Sequence, residues 1–161
     1  MVNSERINCN NTNLLIIGSN HENSKPMSSA EKCEQESKNI EKQLFSHRPS
    51  VIFIELPENT DISFVNSHAN ESPKYYGTET VAIANYMNSA RNVELIPIDS
   101  GSLRDLNTHD ASEDMKQMSR LTRNNSLAYN TLSYLNKHTV NTAAMVIGKN
   151  HMREVISILS K

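Results

Sequence analysis

Two histidines stand in nearly the same context at opposite ends of the chain, Ile17-Gly18-Ser19-Asn20-His21 and Ile147-Gly148-Lys149-Asn150-His151. Each follows a short apolar run, Leu14-Leu15-Ile16-Ile17 in the first copy and Ala143-Ala144-Met145-Val146-Ile147 in the second. Both read as a buried strand, a glycine turn and a histidine delivered just past the strand end. One Gly-x-x-His would be noise; two in matching contexts point to a paired site. Two further apolar runs end in acids. Val51-Ile52-Phe53-Ile54 leads into Glu55, with Glu58 beyond Pro57, and the run 93–98 leads into Asp99. Two imidazoles with one or two carboxylates suit a borderline divalent cation such as zinc, manganese or cobalt. The same set without a metal suits general acid–base hydrolysis. Asp99 has a competing role as a turn cap. His47, His68, His109 and His138 lack such a context and are expected at the surface.

Those side chains need a scaffold that gathers strand ends. The four runs are too short for helices and read as buried strands. Between them lie helix patterns over 28–46 (capped by Ser28 or Ser29), over 78–91 with Thr78 as N-cap, over 112–136 and over 152–159. In the third of these, Met115, Met118, Leu121, Thr122, Ala128, Leu132 and Leu135 form a stripe expected to face the core. A bend or break is expected there near Asn124-Asn125. Residues 57–77, rich in Asn, Ser and Pro, read as a long exposed loop with a short helical turn around 62–65. Such loops are often lids or binding loops, and Tyr75 and Tyr76 near its end are placed either to stack on a ligand or to cover the sheet edge. A turn or short helix is expected over 103–108. The order β-α-β-α-β-α-β-α predicts an α/β fold, a mainly parallel central sheet of about four strands with helices on both faces. All strand C-terminal ends then share one edge, where ligands of open α/β sheets bind. His21 with Glu22, Glu55 with Glu58, Asp99 and His151 are all read onto it, with the histidines on neighbouring strands and within about 10 Å of each other across one cleft. Gly18 and Gly148 are expected to let the backbone turn sharply there.

The remaining composition sets bounds. The 161 residues favour one domain, 1–161, with 1–12 as a flexible or edge segment. Sixteen basic and eighteen acidic residues, with no Lys/Arg block, argue against a nucleic-acid partner. Apolar runs of four or five residues leave no membrane span, and the polar N-terminal stretch lacks the core of a signal peptide. The expected location is the cytoplasm, with export by a signal-less route left open. Cys9 and Cys33 have no metal or redox spacing and read as free thiols. No nucleophile elbow, phosphate loop or Cys-x-x-Cys is present, which disfavours a serine hydrolase, an NTPase and a redox enzyme.

Taken in order, these motifs resemble the TraB/PrgY/GumN/Tiki superfamily, related in fold to erythromycin esterases and ChaN-like haem-binding proteins. The resemblance is carried by Gly18 to His21, Ile54-Glu55-Leu56, Gly77-Thr78-Glu79, Ile98-Asp99, Arg123-Asn124 and Gly148 to His151. It spans nearly the whole chain, as a minimal version without the family's usual helical insertion between the Asp and the Arg. Met152-Arg153-Glu154 also departs from the smaller or prolyl residues that usually follow the last motif. The resemblance implies a metal-dependent hydrolase, peptidase-like, in which His21, His151 and Glu55 hold a metal or polarise water. Glu55, Arg123 and Asp99 would be catalytic, with Arg123 holding a substrate carboxylate or an oxyanion. Glu58, Glu79, Tyr75 and Tyr76 would line the substrate site.

The expected partner is a peptide or protein substrate, with a homo-oligomer or another chain completing a shallow cleft. The competing readings are a non-catalytic binding module for haem, metal or a protein ligand on the same edge, and a secreted effector or toxin domain. Arg123 is expected in the cleft, with Arg120 one turn earlier a decoy whose replacement by lysine is nearly silent, and Glu55 is expected to be partly buried and essential with Glu58 exposed and dispensable.

Overall fold

A computed structural model describes residues 3–100 and 112–161. The expected turn over 103–108 and His109 lie outside the described residues. The fold is α/β. Strands β1 (Asn3–Cys9), β2 (Thr12–Ser19), β3 (Val51–Pro57), β4 (Glu94–Asp99) and β5 (Thr142–Gly148) form one sheet in the order β1-β2-β5-β3-β4. β1 pairs antiparallel with β2, and every other pairing is parallel. The fifth strand beyond the expected four is β1. It is joined to β2 through Asn10 and Asn11, both at positive φ, a conformation asparagine tolerates well.

The two faces of the sheet read off the strands by alternation. Leu14, Ile16, Val51, Phe53, Ala143, Met145 and Ile147 pack with Leu127, Ala128 and Leu135 of α4 (Glu113–Lys137) and with Met152, Val155 and Leu159 of α5 (Lys149–Leu159). Leu15, Ile17, Ile52, Ile54, Ala144 and Val146 pack on the other face. Their partners are Ile40 and Leu44 of α1 (Ala30–His47) and Ala82, Ile83 and Tyr86 of α3 (Thr78–Ser89). Ser29 caps α1 by accepting the Lys32 N–H.

Several expectations are corrected. α4 runs unbroken past Asn124, which is fully buried. Met115, Met118 and Leu121 are exposed, because only the C-terminal part of their stripe reaches the sheet. Thr78 begins α3 rather than capping it; the cap position is Gly77, at φ 97°. His47 is buried, its Nε2 lying 2.8 Å from the Ala143 carbonyl and 3.2 Å from that of Asn13, so it ties the end of α1 to the start of the sheet. The stretch 57–77 is anchored by a 3-10 helix, Ile62–His68, whose Val65 enters the core, and by the single-turn α2 (Pro73–Tyr76).

The repeated glycines supply space rather than torsional freedom, since neither adopts positive φ. A Cβ on Gly18 would meet Met152 Sδ at 2.9 Å and Lys149 Cα at 3.2 Å, so the absent side chain lets the start of α5 settle on β2. Gly18→Ala is therefore expected to destabilise the protein by about 1–3 kcal/mol, the usual cost of overpacking, measured as a shift in the urea midpoint.

Candidate functional site at the C-terminal edge of the sheet

β2 and β5 are adjacent and in parallel register, with Gly18 opposite Ile147 and Ser19 opposite Gly148. The two histidine motifs therefore leave the sheet side by side. They diverge at once. After β2 the chain bends through His21 in the left-handed region, at φ 51°, with its N–H donated to Ser19 Oγ at 3.1 Å. After β5 the chain enters α5 directly, which puts His151 in the first helical turn.

The rings meet above Gly148. A Cβ built on that residue would lie 2.8 Å from His21 Nε2, 3.4 Å from His151 Cδ2 and 3.4 Å from Glu55 Oε2. Glu55 follows Phe53 by two positions on β3 and so projects on the α4/α5 face. Its Oε2 accepts the Gly148 N–H at 3.1 Å. Its Oε1 lies 3.3 Å from His151 Nε2 and 3.3 Å from the Arg123 guanidinium. The same guanidinium reaches Asp99 Oδ2 at 3.0 Å. Asp99 is fully buried, and the Glu55 and Arg123 side chains are nearly so. Arg123 thus stands between two carboxylates that are buried or nearly so, and its charge offsets part of their desolvation.

Each imidazole is oriented from behind. His21 Nδ1 is bound by Glu79 Oε1, from the first turn of α3. Glu79 Oε1 and Glu36 Oε1 both lie 2.6 Å from Ser19 Oγ, whose one hydrogen bridges to one of them at a time, and Thr78 donates to Glu36 at 2.9 Å. His151 Nδ1 lies 2.5 Å from Asn124 Oδ1, and the Asn124 amide nitrogen donates to Glu154 Oε2. A carboxylate only accepts, so Glu154 fixes which way the amide points. The amide oxygen then demands a proton on His151 Nδ1. In neutral His151 the lone pair is left on Nε2, beside Glu55.

The two environments push the imidazoles apart. The hydrogen bond to Glu79 raises His21 above the usual 6.5, outweighing its partial burial. Burial lowers His151 below 6.5, aided by the Arg123 charge and opposed by that of Glu55. Burial alone would raise Glu79, but the bond to His21 and its charge hold that carboxyl below its ordinary value.

Of the residues expected at the site, His21, His151, Glu55, Asp99 and Arg123 come together. Glu79 joins them by gripping His21. Glu58 does not; it is exposed and accepts from Asn130 at 3.0 Å. Tyr75 and Tyr76 are also exposed and belong to α2, with Tyr76 set against the His68 ring at 4.7 Å. Arg120, expected to be a bystander, lines the same cleft as Arg123 and His151. Glu36, Ser19 and Glu154 were not anticipated. Spacing could have found Glu36, which falls between Cys33 and Ile40 on the buried face of α1.

Among the described residues, no group of three or more His, Cys, Asp and Glu side chains is disposed to hold a metal ion. His21, His151 and Glu55 would be the donors, but Glu55 is turned toward Arg123 and the Gly148 N–H, and a cation there would sit against the guanidinium. The residues as placed do not fit the metal. No helix among the described residues is long and apolar enough to cross a membrane. No protein-family model, characterised protein or solved structure matches the chain.

Proposed function

We propose that the protein is a hydrolase of acyl bonds, ester or peptide, in which His151 and His21 act as a base and acid pair over Gly148. The observation that carries this reading is the convergence of two separately oriented imidazoles and Glu55 on one point at the sheet edge. The motif order resembling the TraB/PrgY/GumN/Tiki superfamily supports it. No step is routed through a metal.

Neutral His151 Nε2 and Glu55 Oε1, 3.3 Å apart, are two acceptors side by side. Such a pair suits a water that donates one hydrogen to each. As that water attacks the acyl carbon, His151 Nε2 takes its proton. His21, charged through its bond to Glu79, presents Nε2–H to the same space. It stabilises the developing oxyanion and then protonates the leaving alkoxide or amine as the acyl bond breaks. The products are a carboxylic acid and an alcohol or amine. Solvent then carries the proton gained by His151 back to His21. Opposed shifts on paired titratable groups are the usual mark of such a division of roles.

The pH dependence follows with its sign. The base must be neutral, so activity falls as pH drops through the His151 value, which lies below 6.5. The acid must be charged, so activity falls as pH rises through the His21 value, above 6.5. A bell whose limbs lie on opposite sides of 6.5 is expected in kcat/KM.

The direct test is an assay of activated carboxylic esters and peptide anilides, with and without chelator. Turnover that survives chelation and disappears in Glu55→Gln is expected. Turnover equal in wild type and Glu55→Gln, or none on any substrate of the panel, would count against the reading.

A further inference from the structure

We propose that the cleft beside His151 is a binding site for a small anionic group, a carboxylate or a phosphate, carried by a polar substrate. Only the word substrate rests on the hydrolase reading; the anion site stands on the cleft itself. The cavity is about 380 Å³ and lies between the N-terminal half of α4 and the start of α5. The eight described residues that line it are all polar or charged, which suits a polar ligand.

Among the described residues that line it, cations outnumber acids: Lys116, Arg120 and Arg123 stand with one acid, Glu113. Glu113 is almost fully exposed and only 3.5 Å from Lys116, a contact that water screens and that neutralises little. Arg123 is committed to Glu55 and Asp99, though its Nε is buried with no hydrogen-bond partner among the described residues. Arg120 has no carboxylate partner among the described residues. Positions 116, 120 and 123 are spaced four and three apart, so they share a helix face on which like charges repel. A bound anion would relieve that repulsion and accept the planar fork of Arg120 in two-pronged fashion. Asn150 and Gln117 add neutral donors on the walls. The cleft shares Arg123 and His151 with the site, so an anion held by Arg120 and Lys116 would lie next to it.

Calorimetric titration of the full chain with inorganic phosphate, and separately with N-acetylglycine, tests the assignment. Saturable binding of at least one is expected, weaker at high salt. Arg120→Gln and Lys116→Gln should each weaken it about tenfold, the loss of one charge-assisted hydrogen bond. Lys38→Gln, an exposed position on α1 across the sheet, should leave it unchanged. Tighter phosphate assigns a phosphorylated substrate, and tighter N-acetylglycine assigns a carboxylate. Failure of both probes to bind, or affinity indifferent to Arg120 and Lys116, overturns the inference. Because the titration reads no turnover, an inactive protein with an Arg120-dependent anion site sinks the hydrolase reading alone. An active protein without that site sinks this inference alone.

Discussion

Arg123→Met is expected to destabilise the fold by about 3–5 kcal/mol, the usual cost of removing one partner from a buried ion pair. The guanidinium lies 3.3 Å from Glu55 and 3.0 Å from Asp99, and both carboxylates are buried. Methionine matches the length of the side chain but takes a cation away from beside two poorly solvated carboxylates. Equilibrium denaturation measures the effect. Arg123→Lys separates charge from geometry. It keeps the cation, so much of the stability should return, but an ammonium cannot bridge two carboxylates with a planar fork. Activity should therefore stay low in the lysine variant. Stability of Arg123→Met within about 1 kcal/mol of wild type would mean that the two acids are balanced elsewhere.

The second large effect concerns His151. His151→Gln should lower turnover by about 10²–10⁴-fold, the usual contribution of a positioned general base. Glutamine keeps a polar group near Asn124 and Glu55, so the denaturation midpoint should move little. Gly148→Ala is expected to act on the same chemistry by another route. Its new Cβ would fall 2.8 Å from His21 Nε2. His21 is about half exposed and held at its Nδ1 by Glu79, so the strain is released by breaking that contact and displacing the acid rather than by unfolding. A Gly148→Ala protein that is both stable and fully active would show that His21 is not used where it stands.

The sheet edge was readable from residue patterns because its parts sit at places where pattern and position coincide. The apolar runs ending in Gly18, Glu55, Asp99 and Gly148 are buried on both sides, so their ends necessarily fall on one edge of a parallel sheet. The repeat of Ile-Gly-x-Asn-His singled out two histidines from six. β1 escaped because an edge strand buries little: it is largely exposed, and Asn10-Asn11 is a quieter hairpin signal than Asn-Gly. The Met115 and Met118 stripe misled because helical spacing identifies a face without saying what covers it, and α4 outruns the core at its N-terminal end. His47 and Glu36 are polar groups buried with partners far away in sequence, the Asn13 and Ala143 carbonyls for one and Ser19 and Thr78 for the other. No local pattern marks such partners. The different tasks of Gly18 and Gly148 were also invisible, since they depend on what a Cβ would strike.

The proposed chemistry needs His151 as a neutral base and His21 as a charged acid in the same folded protein. Long-range proton–nitrogen NMR of the imidazole rings, followed from acid to alkaline pH, tests it without any substrate. A His151 midpoint below 6.5 is expected, with the proton of its neutral form on Nδ1 facing Asn124, and a His21 midpoint above 6.5. Midpoints in the reverse order, or a neutral His151 carrying its proton on Nε2, would contradict it.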